Sequence, residues 1–155
     1  MPQVTLIVGS KSDTGAAKAS IELLQRYGVD VQAHVCSAHR APERLAHLVR
    51  HAEADGTRVF IAGAGLAAAL PGAIAGLTRR PVIGLPLASG ALNGVDSLLS
   101  ISQMPPGVPV ATVAINGAAN AAWLALEILA LGDAKLDEEL ATYRKEQSER
   151  IDSFD

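Results

Sequence analysis

Four side chains have the types and spacing needed to bind and transform a phosphorylated ligand. Ser10 and Asp13 belong to the run GSKSD, and His39 and Arg40 end the run SAHR. A guanidinium group presents a fixed fork of donors that matches a phosphate, and a histidine can give or take a proton near neutral pH. These residue types predict acid–base chemistry on a phosphorylated substrate, with no metal or redox cofactor.

The first run, GSKSD, lies at a predicted turn from a strand into a helix. Gly9 allows the backbone to turn tightly. The free N–H groups at the helix start and the hydroxyls of Ser10 and Ser12 suit a phosphate or a ribose, while Asp13 can accept hydrogen bonds from sugar hydroxyls. Plain helix capping remains an equal alternative, because Ser and Asp are the preferred N-cap residues.

The second run, SAHR, begins at Ser37 after the second predicted strand. Here a functional interpretation gives Arg40 a phosphate to bind and His39 a proton to carry. The alternative is structural: His39 would then cap the loop, and Arg40 would pair with Glu43 or Asp55.

Two other histidines, His47 and His51, are spaced i, i+4 on a predicted helix. That spacing can bind a metal ion. No carboxylate or thiol partner is evident in the sequence, so we expect a solvent-exposed helix face and no metal site.

The run GAGLAA, residues 63–68, matches a loose dinucleotide-binding pattern after a strand. The full fingerprint also needs an acidic residue about 20 positions later, at the end of the next strand. Beyond residue 63 the next acidic residue is Asp96. We therefore expect these glycines to let a planar ligand lie against bare backbone.

The elements that must position these runs alternate along the chain. Short β-branched runs predict strands at 4–8, 29–35, 58–62, 81–85 and 108–113, and helical stretches follow them at about 13–27, 41–55, 66–77, 94–104 and 118–131. Uninterrupted apolar strands indicate a parallel sheet covered on both faces. The pattern predicts a doubly wound α/β fold, a flavodoxin-like three-layer sandwich that binds ligands at the carboxyl ends of its strands.

Composition narrows the possible partners. The chain has 155 residues, 28 of them alanine, so one domain with a core of small side chains is expected. A net charge of −3 argues against a nucleic-acid partner. No apolar run reaches the ~18 residues of a membrane span, and the single cysteine, Cys36, excludes an intramolecular disulfide. We expect a cytoplasmic protein with no membrane partner.

The last segment differs from the rest because it is charged and has no following strand. Leu136, Leu140, Tyr143 and Ile151 recur along it at roughly helical spacing. The stripe could fold back on its own domain or dock on another subunit. We predict a catalytic α/β domain over 1–132 and a C-terminal helix over 133–155 that packs on a neighbouring subunit.

Six segments, in this order, resemble the class I PurE family, the N5-carboxyaminoimidazole ribonucleotide mutases of purine biosynthesis. The resemblance covers about residues 3 to 131, and its segments are 9–13, 37–40, 62–72, 81–84, 96–105 and 108–114. It implies transfer of a carboxylate from nitrogen to carbon on a ribonucleotide, without cofactor or metal, by a homo-octamer with sites at subunit junctions.

The resemblance also implies roles for individual residues. Ser10 and Asp13 would bind the ribonucleotide, Arg40 would bind its phosphate, and His39 would be the catalytic proton shuttle. Further substrate contacts are expected at Gly9, Ser12, Ser37, Ala64, Gly65 and Leu70.

Three positions depart from the family pattern. Thr14 stands where the family has tryptophan, Leu66 where it has glycine, and Ala69 where it has a histidine near the reacting carboxylate. Two alternatives therefore stay open: a carboxylase that uses free CO2, and a non-catalytic nucleotide-binding module. The carboxylase branch typically has an Arg-Ser-Asn run in the glycine loop, which this chain lacks, and the presence of His39 argues against the module.

Overall fold

A computed structural model describes Met1 and residues 3–152 as a five-stranded parallel sheet with helices on both faces. The predicted α/β fold is confirmed. No helix in this described part of the chain has the length and apolarity to cross a bilayer. The elements are β1 (Val4–Val8), a 3-10 turn (Lys11–Asp13), α1 (Thr14–Arg26), β2 (Val31–Val35), α2 (Pro42–Ala54), β3 (Val59–Gly65), α3 (Leu70–Ala75), β4 (Val82–Leu87), α4 (Val95–Ser102), β5 (Ala111–Thr112), α5 (Ala118–Ala130) and α6 (Ala134–Asp152).

The sheet has the strand order β2-β1-β3-β4-β5, and every neighbouring pair is parallel. The direction of winding reverses between β1 and β3, so the loops that follow these two strands diverge to opposite faces. In doubly wound sheets a crevice opens at this switch point, outside the carboxyl ends of the strands. The fold therefore places the GSKSD run beside the glycine loop.

Two apolar layers cover the sheet. Side chains of α1, α5 and α6 pack on one face, and side chains of α2, α3 and α4 pack on the other. Along β1 the direction alternates: Leu6 and Val8 belong to the first layer, and Ile7 belongs to the second. Ala121 and Ala125 of α5 are fully buried. Their small side chains let helix and sheet backbones approach closely, as the alanine content predicted.

The first half of α6 folds back on its own chain. Leu136 and Leu140 are buried in the same layer as α1 and α5. Tyr143 stacks on Trp123 of α5 with ring centroids 4.2 Å apart, and Tyr27 meets the same indole edge-on at 5.4 Å. Packing of the terminal helix on a neighbouring subunit stays a prediction.

Some element boundaries differ from expectation around the glycine loop. The strand predicted to end at residue 62 continues to Gly65, because residues 63–65 pair with 85–87 of a longer β4. The following helix is correspondingly shorter and covers only Leu70–Ala75. Residues 66–69, predicted as helix, instead form the loop that borders the candidate site.

The fifth strand is also shorter than predicted. Only Ala111 and Thr112 pair with β4, at Ile83 and Gly84. Pro109 has no N–H to donate to a ladder, so proline confines pairing to the residues beyond it.

Candidate active site

One cavity of about 490 Å³ lies at the carboxyl ends of β1, β2, β3 and β4. It brings together every site residue predicted from the sequence, and the remaining lining residues are Ala38, Leu66–Ala69 and Ser89. The predicted residues that line it are Gly9, Ser10, Ser12, Asp13, Ser37, His39, Arg40, Ala64, Gly65 and Leu70.

The end of β1 contributes a linked set of polar groups. Ser10 Oγ donates a hydrogen bond to Asp13 Oδ2 at 2.8 Å and lies 2.6 Å from Ser12 Oγ. Neither Ser10 nor Asp13 makes a side-chain capping bond to the helix that it precedes. The capping interpretation is therefore wrong for both side chains, and both residues line the cavity instead.

The end of β2 contributes a cation and an imidazole. Ser37 Oγ accepts hydrogen bonds from the backbone N–H of Arg40 at 3.2 Å and from its Nε–H at 3.4 Å. The alternative that paired Arg40 with Glu43 or Asp55 is wrong, because among the described residues neither carboxylate forms an ion pair with Arg40, and Asp55 contacts His51 instead. His39 is exposed in the same turn and also lines the cavity.

The other two histidines of interest lie on α2, outside the cavity. Both His47 and His51 are exposed, and His51 Nε2 lies 3.2 Å from Asp55 Oδ2, one turn along the helix. Within Met1 and residues 3–152, no group of three His, Cys, Asp or Glu side chains could hold a metal ion. The prediction of a solvent-exposed face at these two histidines is confirmed.

The glycines at the end of β3 serve packing within the sheet. A Cβ on Gly63 would lie 3.3 Å from Val8 Cγ1, and one on Gly65 would lie 3.1 Å from Ser89 Cβ. At both glycines, the direction in which a Cβ would project is occupied by other protein atoms. The expectation that these glycines leave room for a planar ligand is therefore incomplete, since neighbouring side chains also require their lack of a Cβ.

Ser89 is a lining residue that sequence reasoning missed. It belongs to no motif, and it reaches the cavity because it follows β4, which pairs directly with β3. The signal that could have found it is the topology: once β3 and β4 are adjacent, their carboxyl-end loops must share an edge of the crevice.

A family model described as AIR carboxylase matches residues 3–150. The chain belongs to this family. Among curated relatives, the N5-carboxyaminoimidazole ribonucleotide mutase of Pyrococcus abyssi is 56% identical over 146 residues, covering 94% of this chain and 84% of the relative. The protein of the same name from Escherichia coli K12 is 48% identical over 151 residues, covering 96% and 89%.

A solved structure of related sequence has the same fold. The crystal structure of Treponema denticola PurE superposes with a TM-score of 0.90 at 29% identity, covering 99% of this chain and 96% of that one. The likeness spans α6 as well as the α/β domain, so the terminal helix belongs to the family fold.

Proposed function

We propose that this chain converts N5-carboxyaminoimidazole ribonucleotide to 4-carboxy-5-aminoimidazole ribonucleotide in purine biosynthesis. The observation that carries the proposal is the single cavity in which Ser10, Asp13, His39 and Arg40 meet. Membership of the AIR carboxylase family, with mutases as relatives at 48 and 56% identity, supports the same reaction.

The substrate would lie across the carboxyl ends of the strands in the order phosphate, ribose, base. Arg40, after β2, is the cation that would bind the phosphate. Ser10 and Asp13, after β1, would hydrogen-bond the ribose hydroxyls. The base would then lie over Gly65 and the loop after β3, with Ser89 beyond it after β4. The sheet order β2-β1-β3-β4 thus matches the order of groups along a ribonucleotide.

The reaction requires one group that both gives and takes a proton. Cleavage of the N–carboxylate bond releases CO2 and leaves an aminoimidazole whose nitrogen takes a proton from the imidazolium of His39. C4 of the electron-rich ring then attacks the CO2, and neutral His39 removes the C4 proton to restore the aromatic ring. The protons balance, and histidine suits both steps because its two forms are close in energy at neutral pH.

The loop after β3 would keep CO2 from escaping between these steps. Leu66 and residues 67–69 give the cavity an apolar border. Because Ala69 replaces the family's histidine, the border is less polar at the carboxylate. An apolar surface suits a neutral CO2 molecule and limits the access of water.

Purified protein mixed with each ribonucleotide in turn tests the proposal. Conversion of N5-carboxyaminoimidazole ribonucleotide at the same rate with and without bicarbonate supports the mutase. Product from aminoimidazole ribonucleotide that depends on bicarbonate would instead indicate a carboxylase using CO2. Binding of either ribonucleotide without turnover would indicate a binding module, and the activity would be rejected.

We also propose a cytoplasmic homo-octamer. Val95 and Leu99 share one face of α4 and are 51% and 52% exposed, and Leu92, just before that helix, is 60% exposed. Apolar side chains at helical spacing on one face are typical of a subunit contact. Light scattering at micromolar concentration should give eight times the 16.0 kDa chain mass, and a monomeric mass would reject the assembly.

A further inference from the structure

The last residue of β3 and the loop that follows it touch the loop after β4 at two points beside the cavity. A Cβ on Gly65 would lie 3.1 Å from Ser89 Cβ. One residue further along each loop, a Cβ on Gly90 would lie 2.8 Å from Leu66 Cδ2. The Leu66 side chain therefore occupies the space that any side chain at position 90 would need.

Leu66 adopts an unusual backbone conformation at this contact. Its φ is 55°, in the left-handed region that disfavours residues with a Cβ. The side chain is 52% exposed, so burial in the core does not explain the conformation. The compensating feature is Gly90, which is left-handed too, with φ 63°, and presents bare backbone to the leucine methyls. The two residues fit each other by shape.

The contact lies beside Ser89, the lining residue that follows β4. We propose that Leu66, by packing on Gly90, positions the Ser89 hydroxyl at the end of the cavity that receives the aminoimidazole base. This inference rests on the proposed function, which puts the phosphate at Arg40 and the base at the opposite end of the row of strands. Leu66 is then a positioning residue, and Ser89 is a hydrogen-bond partner for a polar group on the base.

A double-mutant cycle tests the contact. Gly90→Ala inserts a methyl group where Leu66 Cδ2 lies, and Leu66→Ala removes the leucine methyls. Each change alone should lower affinity for aminoimidazole ribonucleotide at least fivefold while affinity for ribose 5-phosphate, which lacks the base, stays within twofold. Because both changes break the same contact, the double variant should lose no more than either single variant. Leu66→Met, which keeps apolar reach, should retain most of the affinity.

Gly107→Ala is the matched control. Gly107 also has a positive φ, 93°, but a Cβ there would meet nothing within 4 Å. This variant incurs the backbone strain of Gly90→Ala without a collision, and both affinities should stay unchanged. If Gly90→Ala fails to fold, Leu66→Ala and Ser89→Ala remain, and each should show the same selective loss.

Two outcomes would overturn the positioning role. One is a double variant whose loss of affinity equals the product of the two single losses, and the other is an equal loss of affinity for aminoimidazole ribonucleotide and ribose 5-phosphate. These binding measurements do not need turnover, so they separate this inference from the mutase activity. A wild-type protein that makes no product rejects the proposed function, while the selective loss of base affinity can still be observed. In an active enzyme, the same variants should lower kcat by at least tenfold, since the base is the reacting group.

Discussion

Ser37 Oγ accepts two hydrogen bonds from one residue, Arg40, through its backbone N–H at 3.2 Å and its Nε–H at 3.4 Å. These two hydrogen bonds hold the turn in place and fix the position of Nε, the guanidinium nitrogen nearest the backbone. With Nε bonded to the serine, we expect the two Nη groups to face the phosphate as a pre-oriented fork. Arg40 and Ser37 therefore act together at the β2 end of the cavity.

Arg40→Ala should weaken ribonucleotide binding by about 1.5–3 kcal/mol, the range of a charge-assisted hydrogen bond. Arg40→Lys should recover only part of the loss, because a point charge cannot reproduce the fork. Calorimetric titration measures both. Arg50→Ala is the control, since Arg50 is exposed on α2 and does not line the cavity. Equal affinity in wild type and Arg40→Ala would remove Arg40 from the site.

His39→Asn should separate binding from turnover. Asparagine cannot carry the proton, so kcat should fall at least ~100-fold, while affinity for the ribonucleotide stays within about tenfold, or ~1.4 kcal/mol. Steady-state kinetics together with calorimetry give the two numbers. His47→Asn should leave both unchanged because His47 is exposed on α2. Near-normal turnover in His39→Asn would show that another group moves the proton.

Acidification should destabilise the fold through His34 of β2. Burial, and secondarily the nearby Arg44, lower the pKa of this imidazole below its ordinary 6.5. The unfolded chain then binds the proton more readily, so stability is complete above pH 6.5 and declines as pH falls toward the folded-state pKa. Melting temperatures from pH 7.5 down to about pH 5 should fall less in His34→Gln than in wild type. His51→Gln is the control variant. A fall in melting temperature as large in His34→Gln as in wild type would contradict the assignment to His34.

Gly84→Ala should destabilise the protein by about 1–3 kcal/mol or more, through overpacking. A Cβ there would collide with Ile101 Cγ2 and lie 2.9 Å from Val110 Cγ1, inside the core. Gly15→Ala on α1, where a Cβ meets nothing within 4 Å, should stabilise by about 0.5–1 kcal/mol. Urea unfolding measures both changes, and a neutral Gly84→Ala would mean that Ile101 can move aside.

The sequence predicted the fold well because the central strands β1, β3 and β4 are buried, mostly apolar runs. The elements around β1 and β2 lie within about two residues of their predicted bounds. It failed at residues 63–69, because 63–65 were left outside the strand and 66–69 were predicted as helix, whereas strand pairing with β4 continues to Gly65. Pairing between distant segments is not encoded in local periodicity. The extension of β3 to Gly65 could therefore be seen only in the assembled sheet.

The candidate site was predictable where it depends on motifs and was missed where it depends on topology. The residue types in the GSKSD and SAHR runs were enough to predict Ser10, Asp13, His39 and Arg40. Ser89, by contrast, reaches the cavity only because β4 lies beside β3. The left-handed Leu66 could not be foreseen either, because its side chain packs against a glycine 24 positions later, a contact that local sequence does not encode.

The aromatic side chains packed between α1, α5 and α6 form an intrinsic spectroscopic probe. Tyr27, Trp123 and Tyr143 are the only tyrosines and the only tryptophan in the chain. None of them lines the candidate active-site cavity. Intrinsic fluorescence and near-ultraviolet dichroism should therefore follow the seating of the terminal helix on its domain and remain silent when a ligand binds.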